Sequence, residues 1–263
     1  MSTVVFLGGG RITSAMLAGL RLGKTRHHLV VHDRNPDKLR DLKKRYAVAV
    51  ESVLNDAVVQ ADVLIVAVRP SSVGELLQSI GRITDARLAI SLAASVPLRT
   101  LRKLAGAPVK WARAMPSPVC RSGRGLTAVT FPRTVPRADR KWIIDFFASF
   151  GPVIEIPESK FDAFTVTFSC SHGYHALATL AGAAQSAGLD RDTALLASAH
   201  ALADGIVAWR NGQHSLESLL VEAATPGGIA AATTTTMDAA GYRRAVRQGV
   251  VAGMRRARMN ASQ

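Results

Sequence analysis

The segment that most limits the fold of this chain is its first: the apolar run Val4-Val5-Phe6-Leu7 stops at Gly8-Gly9-Gly10 and passes into Ile12, Met16, Leu17 and Leu20 at helical spacing. This predicts a strand, a tight turn and a helix. A turn lacking Cβ atoms lets backbone approach a pyrophosphate, whose charge is then met by the helix N-terminal amides. Gly8, Gly10, Arg11 and Ile12 are therefore the candidate pyrophosphate residues, with Arg11 adding a positive charge. Thr13 stands where the usual fingerprint has a third small residue, and Ala15 is a candidate for the close helix contact instead. The competing reading is a glycine-rich turn that holds nothing.

The pattern then repeats. Leu29-Val30-Val31 and Asp62-Val63-Leu64-Ile65-Val66-Ala67-Val68 are strand-like, the second apolar throughout as in a strand buried on both faces. Leu88 to Leu92 and Val109 to Trp111 continue the series, and helical spacing recurs over 36–46, 72–80 and 97–104. Alternating strands and helices imply a parallel sheet. Beyond Pro132 only 153–156 still reads as a strand. Ala-rich helical segments follow over 164–187, 191–210, 215–222 and 242–258. The expected fold is an α/β Rossmann-type parallel-sheet domain over 1–158 and an all-α domain over 159–263, either compact in itself or exchanging helices in a dimer.

Composition excludes several classes of protein. Thirty-three Lys and Arg against nineteen Asp and Glu leave a formal charge of +14. The basic clusters at 34–45 and 243–258 are nevertheless interrupted by acidic or apolar residues, and only 5% of residues are aromatic, so no base-stacking pattern is present. Nucleic acid is not the expected partner. Cys120 and Cys170 are isolated, which suggests neither a disulfide framework nor a zinc site. No apolar run approaches the roughly 18–20 residues of a membrane span, and the first residues lack the basic flank and cleavage site of a secretory signal. A soluble, cytoplasmic protein without a metal is expected.

The second strand ends in Asp33-Arg34-Asn35, where the ribose of a dinucleotide's adenosine half is read. Asp33 would favour the 2′-hydroxyl of NAD, whereas Arg34 and Asn35 would hold the 2′-phosphate of NADP. NADPH is the expected cofactor, with NADH the alternative. An exposed arginine in a helix-leading turn is the plainer explanation of Arg34.

Taken in order, these residues resemble the pyrroline-5-carboxylate reductase family over nearly the whole chain. Phe6 to Gly10 is similar to its opening loop, and Val66-Ala67-Val68-Arg69-Pro70 to its Val-Lys-Pro turn. Ile90 to Ser95 is similar to its Ile-Ser-x-Ala-Ala-Gly segment, and Arg113-Ala114-Met115-Pro116 to its Arg-x-Met-Pro, with Gly125-Leu126-Thr127 following. Asp162-Ala163, Tyr174 and Thr225-Pro226-Gly227-Gly228 correspond to its substrate segment and Ser-Pro-Gly-Gly turn. The resemblance implies reduction of a small cyclic imine bearing a carboxylate, within the synthesis of L-proline. It implies that Val68, Arg69, Pro70, Ala93, Ala94, Met115 and Pro116 line the cofactor. It also implies a homodimer or higher homo-oligomer formed through the C-terminal helices.

The differences fall on the substrate side. The family's Ser-Gly-Ser-Gly-Pro-Ala-Tyr reads Phe168-Ser169-Cys170-Ser171-His172-Gly173-Tyr174, its Thr after Gly-Gly is replaced by Ile229-Ala230, and its Asn after Met-Pro by Ser117. A reductase of another imine or a carbonyl compound, or a non-catalytic dinucleotide-binding relative, are the alternatives. His172 and Tyr174 are the candidate catalytic residues, since imidazole titrates near neutrality and could supply a proton. Ser171, Thr225, Gly227 and Gly228 are candidates for substrate, because helix N-terminal amides hold a carboxylate. His175 is a weaker candidate of the same kind, and a capping or packed histidine the plainer reading of His172.

Overall fold

The computed structural model describes residues 1–81, 87–106, 108–212 and 214–262, with backbone alone at 261 and 262. Two units emerge, Met1–Phe168 with Met254–Gln263, and Ser169–Gly253.

The first unit alternates strands and helices from its start: β1 (Thr3–Leu7), α1 (Arg11–Leu22), β2 (His28–His32), α2 (Pro36–Tyr46), β3 (Ala49–Glu51), α3 (Leu54–Val59), β4 (Val63–Val66), α4 (Val73–Ile80), β5 (Leu88–Ser91) and α5 (Leu98–Ala105). It continues through β6 (Lys110–Pro116), β7 (Thr127–Thr130), α6 (Arg137–Ala148), β8 (Val153–Glu155) and α7 (Glu158–Thr167). The sheet order is β3-β2-β1-β4-β5-β6-β7-β8, so the chain reverses direction across the sheet between β1 and β4. Such a switch point is where open α/β sheets place their ligands. The expected Rossmann-type sheet is present, with one refinement: β7 runs antiparallel to β6, pairing Arg113 with Thr130 and Pro116 with Thr127.

Alternation along the strands builds two cores. Val4, Phe6, Ile65 and Ile90 face Met16, Leu17 and Leu20 of α1 and the Phe146-Phe147-Phe150 cluster. Val5, Leu7, Leu64, Ala89 and Trp111 face Leu77 of α4 and Leu101 of α5. β4, Val63–Val66, is thus apolar at every position because both faces are covered. Local chemistry sets the ends of α2: the Asn35 side chain accepts hydrogen bonds from the Asp37 and Lys38 amides, Pro36 fits the first turn, and Ala47 closes the helix at φ 53°.

Ala15 is fully buried in the core, and a further close approach along α1 is made at Gly19. A Cβ at Gly19 would lie 2.3 Å from the Cys120 carbonyl oxygen, in the 3-10 turn Pro118–Ser122. Thr13 is fully buried and donates its hydroxyl to the Gly8 carbonyl at 2.6 Å, bracing the turn from below. The third position of the glycine fingerprint is thus filled by a hydrogen bond.

The second unit is helical: α8 (Cys170–Ser186), α9 (Arg191–Asn211), α10 (Leu216–Ala223), α11 (Ile229–Ala239) and the first part of α12 (Tyr242–Ser262). The continuous helix expected over 164–187 is two. Phe168 donates its amide to Phe164 to close α7, and Ser169 then caps α8 by accepting from the Ser171 amide. Among the described residues of this unit only Ala181, Ala194 and Ser198 are buried, while Leu196, Ile206, Val207, Trp209 and Val221 stand exposed. Among the described residues these helices thus bury few side chains of their own and leave several large apolar ones uncovered in the single chain.

Candidate active site

The predicted cofactor residues come together at one edge of the first unit. Because parallel strands end on the same side, the turns after β1, β2, β4, β5 and β6 share the carboxyl edge of the sheet. Those turns carry Gly8 and Gly10, Arg34 and Asn35, Val68 to Pro70, and Ala93 and Ala94, while Met115 and Pro116 are the last two residues of β6 itself.

The first turn is shaped as a cradle. Gly8 has φ 114°, and a Cβ there would sit 2.8 Å from the Ala67 carbonyl oxygen. A Cβ at Gly10 would meet nothing within 4 Å, so this side of the turn opens outward. Gly10 is the N-cap of α1, which has no side-chain cap and no acidic residue in its first turn. The first amides of a twelve-residue helix therefore point to the opening with the positive end of its dipole. Arg11 is exposed beside them and Ile12 half-buried. Open space, amides lacking a cap and an adjacent cation fit a pyrophosphate.

Asp33 serves the architecture of the turn. Its Oδ2 accepts from the Gly9 amide at 2.7 Å and its Oδ1 from the Asn35 amide at 2.9 Å, with Lys38 Nζ 3.6 Å away. Each carboxylate oxygen thus holds one backbone amide and keeps a lone pair for a further donor. Asn35 Oδ1 is likewise occupied as a cap. Arg34 is exposed, and its guanidinium pairs with Glu75 at 2.8 Å.

Further along the edge, Ser91 Oγ accepts from the Ala93 amide at 3.2 Å and organises the Ala93-Ala94 turn. Next to this, Ser95 is held at φ 62°, a left-handed conformation, and is buried. Sequence reasoning placed Arg113 in the Arg-x-Met-Pro segment without giving it a role; its side chain is only 2% exposed. It stands 3.4 Å from Glu158 and 3.4 Å from Asp162, with its guanidinium 4.3 Å from the centroid of the Phe161 ring. Glu158 also accepts from the Leu98 amide at 2.6 Å, which ties α7 to the start of α5. The usable signal was acidic residues at i and i+4, which place both carboxylates on one face of α7.

In the second unit, Ser171, His172, Tyr174 and His175 occupy the first turns of α8 and are exposed, Tyr174 at 71%. Ser171 Oγ lies 2.6 Å from Ser169 Oγ. Thr225 and Gly227 are exposed, and Gly228 caps α11 while donating its amide to the Thr225 carbonyl at 2.9 Å. Gly227 has φ 78°, so the Pro226-Gly227 turn requires a residue without Cβ there. Ile229, where the resemblance places a Thr, is 90% exposed. Among the described residues no three His, Cys, Asp or Glu side chains gather as metal ligands, and no helix is long and apolar enough to cross a membrane.

Comparison with known proteins bears on both units. Residues 3–95 match the family described as NADP oxidoreductase coenzyme F420-dependent, and residues 158–260 match pyrroline-5-carboxylate reductase dimerisation. The pyrroline-5-carboxylate reductase of Mycobacterium leprae is 32% identical over 280 residues, covering 96% of this chain and 94% of its own. Among solved structures, the Plasmodium falciparum pyrroline carboxylate reductase with NADP bound superposes with a TM-score of 0.87 at 21% identity, covering 99% of this chain and 98% of its own. The Streptococcus pyogenes 1-pyrroline-5-carboxylate reductase gives 0.89 at 22%, covering 98% of each chain. At these identities the two structures establish a shared fold.

Proposed function

The chain belongs to the pyrroline-5-carboxylate reductase family, and from that premise we propose that it reduces the C=N bond of pyrroline-5-carboxylate, forming proline, with NADPH as reductant. The observation that carries this reading is the open, uncapped glycine turn at the switch point of the sheet. When bound there, the dinucleotide supplies a hydride to the imine carbon, and one proton must reach the nitrogen.

The protein's share is positioning and charge neutralisation. In this reading residues 1–158 form the dinucleotide domain. Gly8, Gly10, Arg11 and Ile12 hold the pyrophosphate, and Arg34 with the side-chain nitrogen of Asn35 holds the 2′-phosphate. Val68, Arg69, Pro70, Ala93, Ala94, Met115 and Pro116 line the remainder. Residues 159–263 form the helical substrate and dimerisation domain. There Ser171, Thr225, Gly227 and Gly228 receive the substrate carboxylate, the His172 imidazole holds the proton destined for the imine nitrogen, and the Tyr174 hydroxyl orients the substrate. The uncovered apolar helices of the second unit support a homodimer through that region. The cytoplasm is the proposed location.

The test is oxidation of NADPH and of NADH by the purified protein with pyrroline-5-carboxylate, beside a binding titration of each cofactor. Turnover faster with NADPH supports the reading. Tight NADPH binding without turnover of pyrroline-5-carboxylate turns it toward another imine, the alternative favoured by His172 and Ile229 in the substrate segments. Absence of binding to either cofactor removes it.

A further inference from the structure

The ion pair between Arg34 and Glu75 has a particular location. Arg34 lies two residues beyond β2, and Glu75 lies in the first turn of α4, after the turn that leaves β4. β2 and β4 are the two neighbours of β1. The 2.8 Å contact between Arg34 Nη1 and Glu75 Oε1 therefore spans the edge where the Gly8–Gly10 turn leaves β1. Both side chains are well exposed, 78% and 63%, so neither is held in place by packing.

The other nearby carboxylate, Asp33, is committed to the Gly9 and Asn35 amides and to Lys38. Glu75 is the carboxylate paired with the Arg34 guanidinium. A carboxylate and a phosphate monoester offer that fork the same chemistry, two oxygens bearing negative charge. They compete for it.

We propose that Glu75 is a built-in competitor for the 2′-phosphate of NADPH, and that it sets the discrimination between NADPH and NADH by occupying Arg34 while the site is empty. The inference rests on the reading above in which Arg34 receives the 2′-phosphate. NADH lacks that phosphate and has no need to displace Glu75. Releasing the pair should therefore raise affinity for NADPH and leave affinity for NADH where it is. An exposed pair has a strength that corresponds to about 1.5- to 5-fold in a binding constant. Such a clasp can be displaced by a phosphate and still be felt in the affinity.

Fluorescence titration of NADPH and NADH against the full-length wild type, Glu75→Gln, Arg34→Ala and the double variant tests this. Glu75→Gln should tighten NADPH about 1.5- to 5-fold and leave NADH unmoved, and the gain should vanish in the Arg34→Ala background. An equal shift for both cofactors, no shift for either, or a gain that persists without Arg34 overturns the role of Glu75. Arg34→Ala alone should weaken NADPH by about tenfold or more and spare NADH. Equal losses there would overturn the underlying assignment of Arg34 instead, so the two failures are distinguishable.

Discussion

The guanidinium of Arg113, inside β6, lies 4.3 Å over the ring of Phe161 on α7, and Glu158 and Asp162 from the flanking turns of that helix each approach it to 3.4 Å. A buried cation fastens a helix to a strand 45 residues away in sequence, two residues before Met115 in the same strand. Among the described residues Arg113 Nε has no hydrogen-bond partner, so the two carboxylates and the aromatic face carry its desolvation. Arg113→Ala removes the cation, both pairs and the packed stem. We expect a loss of about 3 kcal/mol in urea unfolding, reduced from the cost of a fully buried pair because both carboxylates keep some solvent. A loss under about 0.5 kcal/mol would mean that α7 is held by other contacts.

Gly8 and Gly10 should separate structure from binding. Gly8→Ala drives a Cβ to 2.8 Å from the Ala67 carbonyl at a positive φ, so about 2 kcal/mol of stability and NADPH affinity should fall together. Gly10→Ala enters open space and loses at most about 1 kcal/mol as a poorer cap. Its NADPH dissociation constant should still rise at least about tenfold, because the added methyl occupies the approach of the pyrophosphate. Thermal melts and titrations of both variants would show the separation, and unchanged NADPH affinity in Gly10→Ala would remove the turn from the site.

Ser95 occupies a left-handed conformation that glycine adopts without strain. Ser95→Gly should stabilise the protein by about 0.5–1 kcal/mol, relief of backbone strain outweighing the extra freedom of the unfolded chain. A loss on chemical denaturation would mean that the hydroxyl is worth more than the strain.

Burial pushes the Cys120 thiol up from its ordinary value of 9.0 to about 12. The folded chain thus keeps a proton that the unfolded chain gives up above pH 9. The neutral thiol's contribution is complete below that pH and is lost as the pH climbs from 9 toward 12. In a Cys170→Ala background the protein should resist a thiol reagent at pH 8 until denaturant is added. Cys120→Ala should flatten the decline of stability above pH 9, and rapid labelling of the native form would contradict the burial.

Helices that expose Ile206, Trp209 and Val221 are expected to gain their stability from a second copy. The unfolding midpoint should then rise with protein concentration, and sedimentation should give at least twice the mass of the chain. A midpoint independent of concentration, with a monomer in solution, would leave that apolar surface to another partner.

Much was legible from local pattern. Val4 to Leu20 announced strand, turn and helix because one periodicity gives way to another at residues whose conformational freedom is known. The strand at 63–66 was visible as an unbroken apolar run. The short strands Ala49–Glu51 and Thr127–Thr130 and the helix Arg137–Ala148 escaped notice, since three or four residues carry little periodicity and the helix mixes charged and aromatic residues.

The sequence by itself determined which segments would be strands and helices along the cofactor edge, because those preferences reside in neighbouring residues. Tertiary structure alone decided that Gly19 meets Cys120, that Asp33 accepts from the Gly9 amide, that Arg34 finds Glu75, and that Arg113 meets Glu158 and Asp162. These partners lie 24 to 101 residues apart. Their meeting depends on the order in which the strands assemble, and steric fit and charge pairing act only once the sheet has brought them within a few ångströms.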